Sequence, residues 1–120
     1  MATEKAIMET TKATIVYKQY NDMASNVYVQ VYGRIYNSDK TRYRHLSMIV
    51  WLDIDEVCEY WDKDAVSDRD IRQCAAEIAL NNMYAYCSDY NNVSALYEYA
   101  NSTIKRYNEL MDRCYKSFIW

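Results

Sequence analysis

NVYVQVYGRIYN, residues 26–37, alternates between two kinds of side chain with a period of two. Val27, Val29, Val31 and Ile35 fall on one side; Tyr28, Gln30, Tyr32, Arg34 and Tyr36 fall on the other. Successive side chains of a strand point to opposite faces, so the first set belongs to a core and the second to a surface. The strand predicted at about 27–36 decides the fold, because its neighbours repeat its period. Upstream, at about 11–20, Ala13, Ile15 and Tyr17 alternate with Lys12, Thr14, Val16 and Lys18. Downstream, at about 42–54, an inward set of Leu46, Met48, Val50, Leu52 and Ile54 alternates with Tyr43, His45, Ser47, Ile49, Trp51 and Asp53. The links are short and polar, residues 21–26 and Asn37-Ser38-Asp39-Lys40, which suits an antiparallel meander. Residues 1–10 show no clear period and are expected to fray.

After Ile54 the period changes to about 3.6 residues, that of a helix. A short helix is predicted over about 55–64, with Val57, Cys58 and Trp61 on one side. Ser67 followed by Asp70 has the form of a capping box and opens a helix over about 68–87. Tyr90-Asn91-Asn92 breaks it, and a last helix over about 93–118 keeps Val93, Leu96, Tyr97, Ala100, Ile104, Tyr107, Met111, Cys114 and Phe118 on one stripe. That helix would be about 39 Å long, close to the roughly 33 Å of a ten-residue strand, so it is expected to lie across the inner sheet face. The expected architecture is α+β in two layers, one domain spanning 1–120, with a three-stranded antiparallel meander followed by helices on one sheet face.

Composition narrows the chemistry. A chain of 120 residues, 51% apolar and 26% charged, is a folded globular chain with enough length for a core. Gly33 is the only glycine and proline is absent, so glycine-rich phosphate loops and nucleophile elbows are excluded. Cys58, Cys74, Cys87 and Cys114 are widely and irregularly spaced, and His45 is the single histidine, so no metal site or cofactor is expected and the cysteines read as free thiols. The start of the chain lacks a basic segment followed by an apolar one, and the longest apolar run, Met48–Leu52, is far short of a membrane span. A cytoplasmic protein without a membrane partner is the expectation. His45 has no serine or cysteine at a recognisable spacing, and no enzymatic activity is expected.

Two surfaces remain as candidates for partner binding. The outward sheet face carries Tyr28, Gln30, Tyr32, Arg34, Tyr36, Tyr43, His45 and Trp51, residue types enriched at interface hot spots. Residues 12–44 hold six cations against two carboxylates, a balance of +4, which suits an anionic partner. This face could take a protein partner or a second copy in a homodimer. It could instead stack single-stranded nucleic acid, or merely pair tyrosines across strands for stability, or lie under an extra helix. The second surface is acidic: Asp53, Asp55, Glu56, Glu59, Asp62, Asp64, Asp68 and Asp70 are offset only by Lys63 and Arg69, a balance of −6, whereas the whole chain carries −3. Such a surface either solvates helix starts or occupies a basic groove as a nucleic-acid mimic. A calcium loop is disfavoured for want of its glycine.

In the Asp53–Asp70 acidic run and the Tyr28–Tyr36 row, the chain resembles small phage-encoded inhibitors of bacterial defence, the anti-CRISPR type. The likeness is one of composition and layout over the whole chain and rests on no motif. It implies a non-enzymatic interaction protein, in the host cytoplasm if phage-encoded. Such a protein blocks a nucleic-acid-binding effector by occupying its nucleic-acid groove or locking its conformation. The alternative reading of the same residues is a small single-stranded nucleic-acid-binding protein using the aromatic sheet face.

Overall fold

The valine row of residues 27–35 is the floor of the core: Val27, Val29, Val31 and Ile35 are all buried. Each such side chain contributes about 1.5–3 kcal/mol by leaving water, more than the net worth of an ordinary hydrogen bond, so this row sets the register of the sheet. The computed structural model describes residues 3–20, 25–61 and 65–118. Its elements are β1 (Ile7–Tyr20), β2 (Ser25–Tyr36), β3 (Tyr43–Asp53), α1 (Ile54–Trp61), α2 (Asp68–Tyr86) and α3 (Ser94–Phe118). The strands form one antiparallel sheet in the order β1-β2-β3, and helices pack against it, an α+β fold. Residues 62–64, expected to end the first helix, and most of the first link lie outside the described residues.

β1 differs from the sequence reading in three ways. It starts at Ile7, because the segment before it is pinned: Lys5 bridges Asp89, the Ala6 N–H donates to the Ser88 carbonyl, and the Tyr90 N–H donates to the Glu4 carbonyl at 2.7 Å. The expected fraying therefore does not extend to residues 3–10. The register also shifts twice, between Thr10 and Lys12 and between Ile15 and Tyr17. A bulge inserts one residue and inverts the facing of everything beyond it. Tyr17 consequently pairs with Tyr28 on the outer face. Lys18 turns to the helix side, where its Nζ meets Asp68 at 2.7 Å at the start of α2.

The inner face belongs to α2. Its buried residues are Ile71, Cys74, Ala75, Ala79 and Met83, and the small ones let the helix axis approach the sheet closely. The Ser67 hydroxyl accepts from the Asp70 N–H while the Asp70 carboxylate accepts from the Ser67 N–H, so the capping box forms as expected. Gly33 lies in the inner row beneath Met83. A Cβ there would stand 2.9 Å from Met83 Cε and 2.9 Å from the Glu9 carbonyl oxygen. The lone glycine thus answers to close packing, with no positive φ involved.

The longest helix, α3, does not cross the inner face as its length suggested. It runs along the outer edge of β3. The Ile49 N–H donates to Thr103 Oγ1 at 2.9 Å, and the Tyr97 hydroxyl donates to the His45 carbonyl at 2.7 Å. Two side-chain hydroxyls thereby satisfy edge groups that a fourth strand would otherwise have taken. Leu96 and Ala100 join the core, whereas Ile104, Tyr107 and Met111 are only half-buried. Bulky Tyr97 and Tyr107 on this stripe keep α3 from the close approach that alanines allow α2. No described helix is long and apolar enough to cross a membrane.

Candidate interaction surface

The outer sheet face divides into two halves. At the β2–β3 turn, Tyr32 is 39% exposed and Tyr43 47%, while Arg34 and His45 stand opposite each other across the strands. Their rings and charges are packed together. The Arg34 guanidinium lies 4.9 Å from the Tyr43 ring centre, His45 meets Tyr43 edge-on at 5.1 Å, and Tyr36 lies 5.4 Å from Tyr43. Arg34 also donates to the Tyr36 hydroxyl, which in turn donates to Glu9 at 2.8 Å. The Tyr36 bond, with the nearby Glu9 carboxylate in support, holds the Arg34 pKa above its ordinary value. Toward the middle of the sheet a basin of about 700 Å³ opens between this half and α3. Its lining includes Lys12, Tyr32, Arg34 and His45 from the strands and Tyr97 and Asn101 from α3, and no carboxylate.

At the other half, Trp51 is 52% exposed and fixed by its indole N–H, which donates to Asn26 Oδ1 at 3.0 Å. Tyr28, opposite it on β2, sits in a row of rings with Tyr17 at 6.0 Å and Tyr107 at 5.9 Å. Tyr107 donates to the Val16 carbonyl at the second bulge, and burial raises its hydroxyl pKa. Tyr28 and Gln30 are thus half-buried, and Ile49 on the same face is buried. The outward row is therefore not uniformly open: α3 laps over its centre and leaves Tyr32, Tyr43, His45 and Trp51 as the exposed rings among the described residues of the face. Tyr97, Asn101 and Tyr107 were missed as site residues because on a helical stripe they read as core or solvent.

The acidic run separates into groups engaged in caps and pairs and groups exposed on α1. Asp53 accepts from the Asp55 N–H at the start of α1, Asp68 pairs with Lys18, and Asp70 closes the capping box. The exposed Lys18–Asp68 pair is worth at most about 1 kcal/mol. Asp62 and Asp64 lie outside the described residues. Asp55, Glu56 and Glu59 are exposed on α1 and make no side-chain hydrogen bond or ion pair with other described residues. Among the described residues no three His, Cys, Asp or Glu side chains come together as metal ligands. Cys74 and Cys87 are buried free thiols, and burial raises the pKa of both. No family model, no curated protein and no solved structure matches this chain.

Proposed function

We propose that this chain is a non-enzymatic interaction protein that docks a protein partner around Trp51 and acts by occupying that partner's surface, as an inhibitor of the anti-CRISPR type would. The observation that carries the reading is a large exposed ring tethered by its indole N–H. Trp51 is tethered through its indole N–H and flanked by the Tyr17–Tyr28–Tyr107 ring row, so little side-chain freedom is left to lose on docking. Next along the chain, α1 presents Asp55, Glu56 and Glu59, which suit the basic surface of a nucleic-acid-binding effector. On the α3 side of Trp51 stand Arg106, Glu109 and Arg113, so the acidic character is confined to the α1 flank.

The test is DNA cleavage by a panel of purified RNA-guided nucleases with the protein in excess. Inhibition of at least one nuclease is expected, weakened at least tenfold by Trp51→Ala and also by Glu56→Lys with Glu59→Lys. Cleavage unaffected throughout the panel, or inhibition that survives Trp51→Ala, counts against the proposal. Light scattering on the parent and on Trp51→Ala decides whether the face instead pairs two copies, since only then does the substitution halve the mass.

A further inference from the structure

The rim of β1 is closed at one end and open beyond it. Over residues 4–8 the end of α2 and the chain after it provide the cover. The Ala6 N–H donates to the Ser88 carbonyl and the Tyr90 N–H to the Glu4 carbonyl. The Tyr84 hydroxyl accepts from the Met8 N–H at 2.9 Å and donates to the Met8 carbonyl. Farther along β1 the facing of the backbone follows from the opposite rim. The Ile49 N–H turns to α3, away from β2, so Gln30 across from it turns to β1 and shares its ladder bonds with Thr14. Ala13 and Ile15, on either side of Thr14, therefore aim their N–H and C=O groups outward, and no described group bonds them there. They lie in the regular stretch between the two bulges.

A groove of about 270 Å³ lies between this rim and α2. Residues 10–13 line it on the strand side, and Arg69, Arg72, Gln73 and Ala76, one stripe of the helix, line the other. Arg69, Arg72 and Gln73 are exposed and make no hydrogen bond or ion pair with any described residue. The acids nearest them keep their charge but do not line the groove. Asp68 is paired with Lys18, Asp70 holds the Ser67 N–H, Glu9 accepts from Tyr36 on the outer face, and Glu77 follows Gln73 by one turn. Attraction for a carboxylate is thus local to the groove. We infer that the open rim takes one extended acidic segment of a partner protein as a fourth strand, with alternate carboxylates over Arg69 and Arg72. The backbone ladder supplies the hold, and the two guanidiniums select the side chains that point to the helix side. A second copy of this chain is a poorer occupant. Pairing β1 with β1 about a two-fold axis would bring both arginine stripes together on one face of the joined sheet. The β1 rim and Trp51 on β3 lie at opposite edges of the sheet, so the two proposals fail separately.

The experiment is fluorescence anisotropy with the full chain and a labelled peptide of about eight residues alternating Glu and Thr, long enough to follow the rim from Thr10 to Tyr17. Binding of this peptide is expected, and none of a Lys-Thr counterpart. Methylating alternate backbone nitrogens of the Glu-Thr peptide should abolish binding in one of the two possible frames, because only the nitrogens that face the rim are used. Arg69→Glu with Arg72→Glu should lower affinity roughly tenfold or more. Ala13→Pro removes an outward N–H and leaves the β1–β2 ladder whole, a placement that edge strands tolerate, and should abolish binding. Circular dichroism checks that each variant is folded, and the arginine pair decides the matter if the proline variant is not. Trp51→Ala should bind as the parent does. No binding by the folded parent overturns the inference. So does unchanged affinity in the folded Arg69/Arg72 variant, equal binding of the Lys-Thr peptide, or binding that survives methylation in both frames. A dimer in sedimentation that Ala13→Pro dissociates assigns the rim to a second copy and equally overturns it.

Discussion

Gly33→Ala is expected to destabilise the protein, although alanine is ordinarily the better residue in a strand. The added methyl would meet the Glu9 carbonyl oxygen and Met83 Cε, each at 2.9 Å, and Met83 Sδ at 3.2 Å. The thioether can swing aside. The carbonyl cannot without moving β1 against β2, because Glu9 is paired with Arg34 one residue along. Forcing an extra methyl into a packed site costs about 1–3 kcal/mol, and restricting the unfolded chain returns about 0.4–1 kcal/mol. The net loss is about 1–2 kcal/mol, or roughly 4–8 °C in Tm for a domain of this size. Urea denaturation of the parent, Gly33→Ala, Met83→Ala and the double variant measures it. Met83→Ala alone leaves a cavity and costs about 2–5 kcal/mol. In the Gly33→Ala background it should cost less, by about 0.5–3 kcal/mol, because the methyl then fills part of that cavity. If Gly33→Ala is neutral or stabilising, or if Met83→Ala costs the same in both backgrounds, Met83 does not nest over Gly33 and the packing account is wrong.

Two further outcomes concern the β2–β3 turn. Asn37 is buried, its amide donates to Asp39 and Thr41 at 2.9 Å each, and its carbonyl accepts from the Arg42 N–H, so Asn37→Ala should cost about 1–3 kcal/mol in urea denaturation by removing those three bonds. Asp39 has its pKa lowered first by the Thr41 hydroxyl, and Asp89 by the Glu4 N–H and then that of Asn91. Folded-state values below the unfolded ones mean that this stability is fully present above about pH 4 and is lost as pH falls through the folded values. Asp39→Asn with Asp89→Asn should therefore be less stable than the parent at neutral pH and should converge with it in acid; an equal difference at both extremes argues against the assignment.

Much of this architecture could be read from the chain. The alternation of Val27, Val29 and Val31, the Ser67–Asp70 cap and the change of period after Ile54 are local patterns driven by burial and backbone geometry, and they gave the strands, helices and their order. What stayed hidden depends on single residues out of register. The bulges after Thr10 and Ile15 break the period by one residue each, so Tyr17 and Lys18 sit on the faces opposite to those that plain alternation predicts. The position of α3 hung on two hydroxyls, Thr103 and Tyr97, which on a helix surface look like solvent contacts. The cations lying on Tyr36, Tyr43 and Tyr90 bring together residues distant in sequence, and charge counting detected only their sum. Of the acidic run, the arithmetic could not separate Asp53, Asp68 and Asp70, engaged in caps and a pair, from Asp55, Glu56 and Glu59.

The placement of α3 also bears on self-assembly. Stacking of sheets into a fibril requires two mating rims per molecule, because each arriving copy must offer a fresh one. With the His45 carbonyl and the Ile49 N–H taken by α3 hydroxyls, the β3 rim offers only a broken ladder. Recruitment along β1 would end at a pair, and the interrupted ladder around Lys12 roughens even that rim. A ribbon rich in valine and tyrosine thereby presents an interrupted rim on either side, where a sheet with both rims open would invite polymerisation.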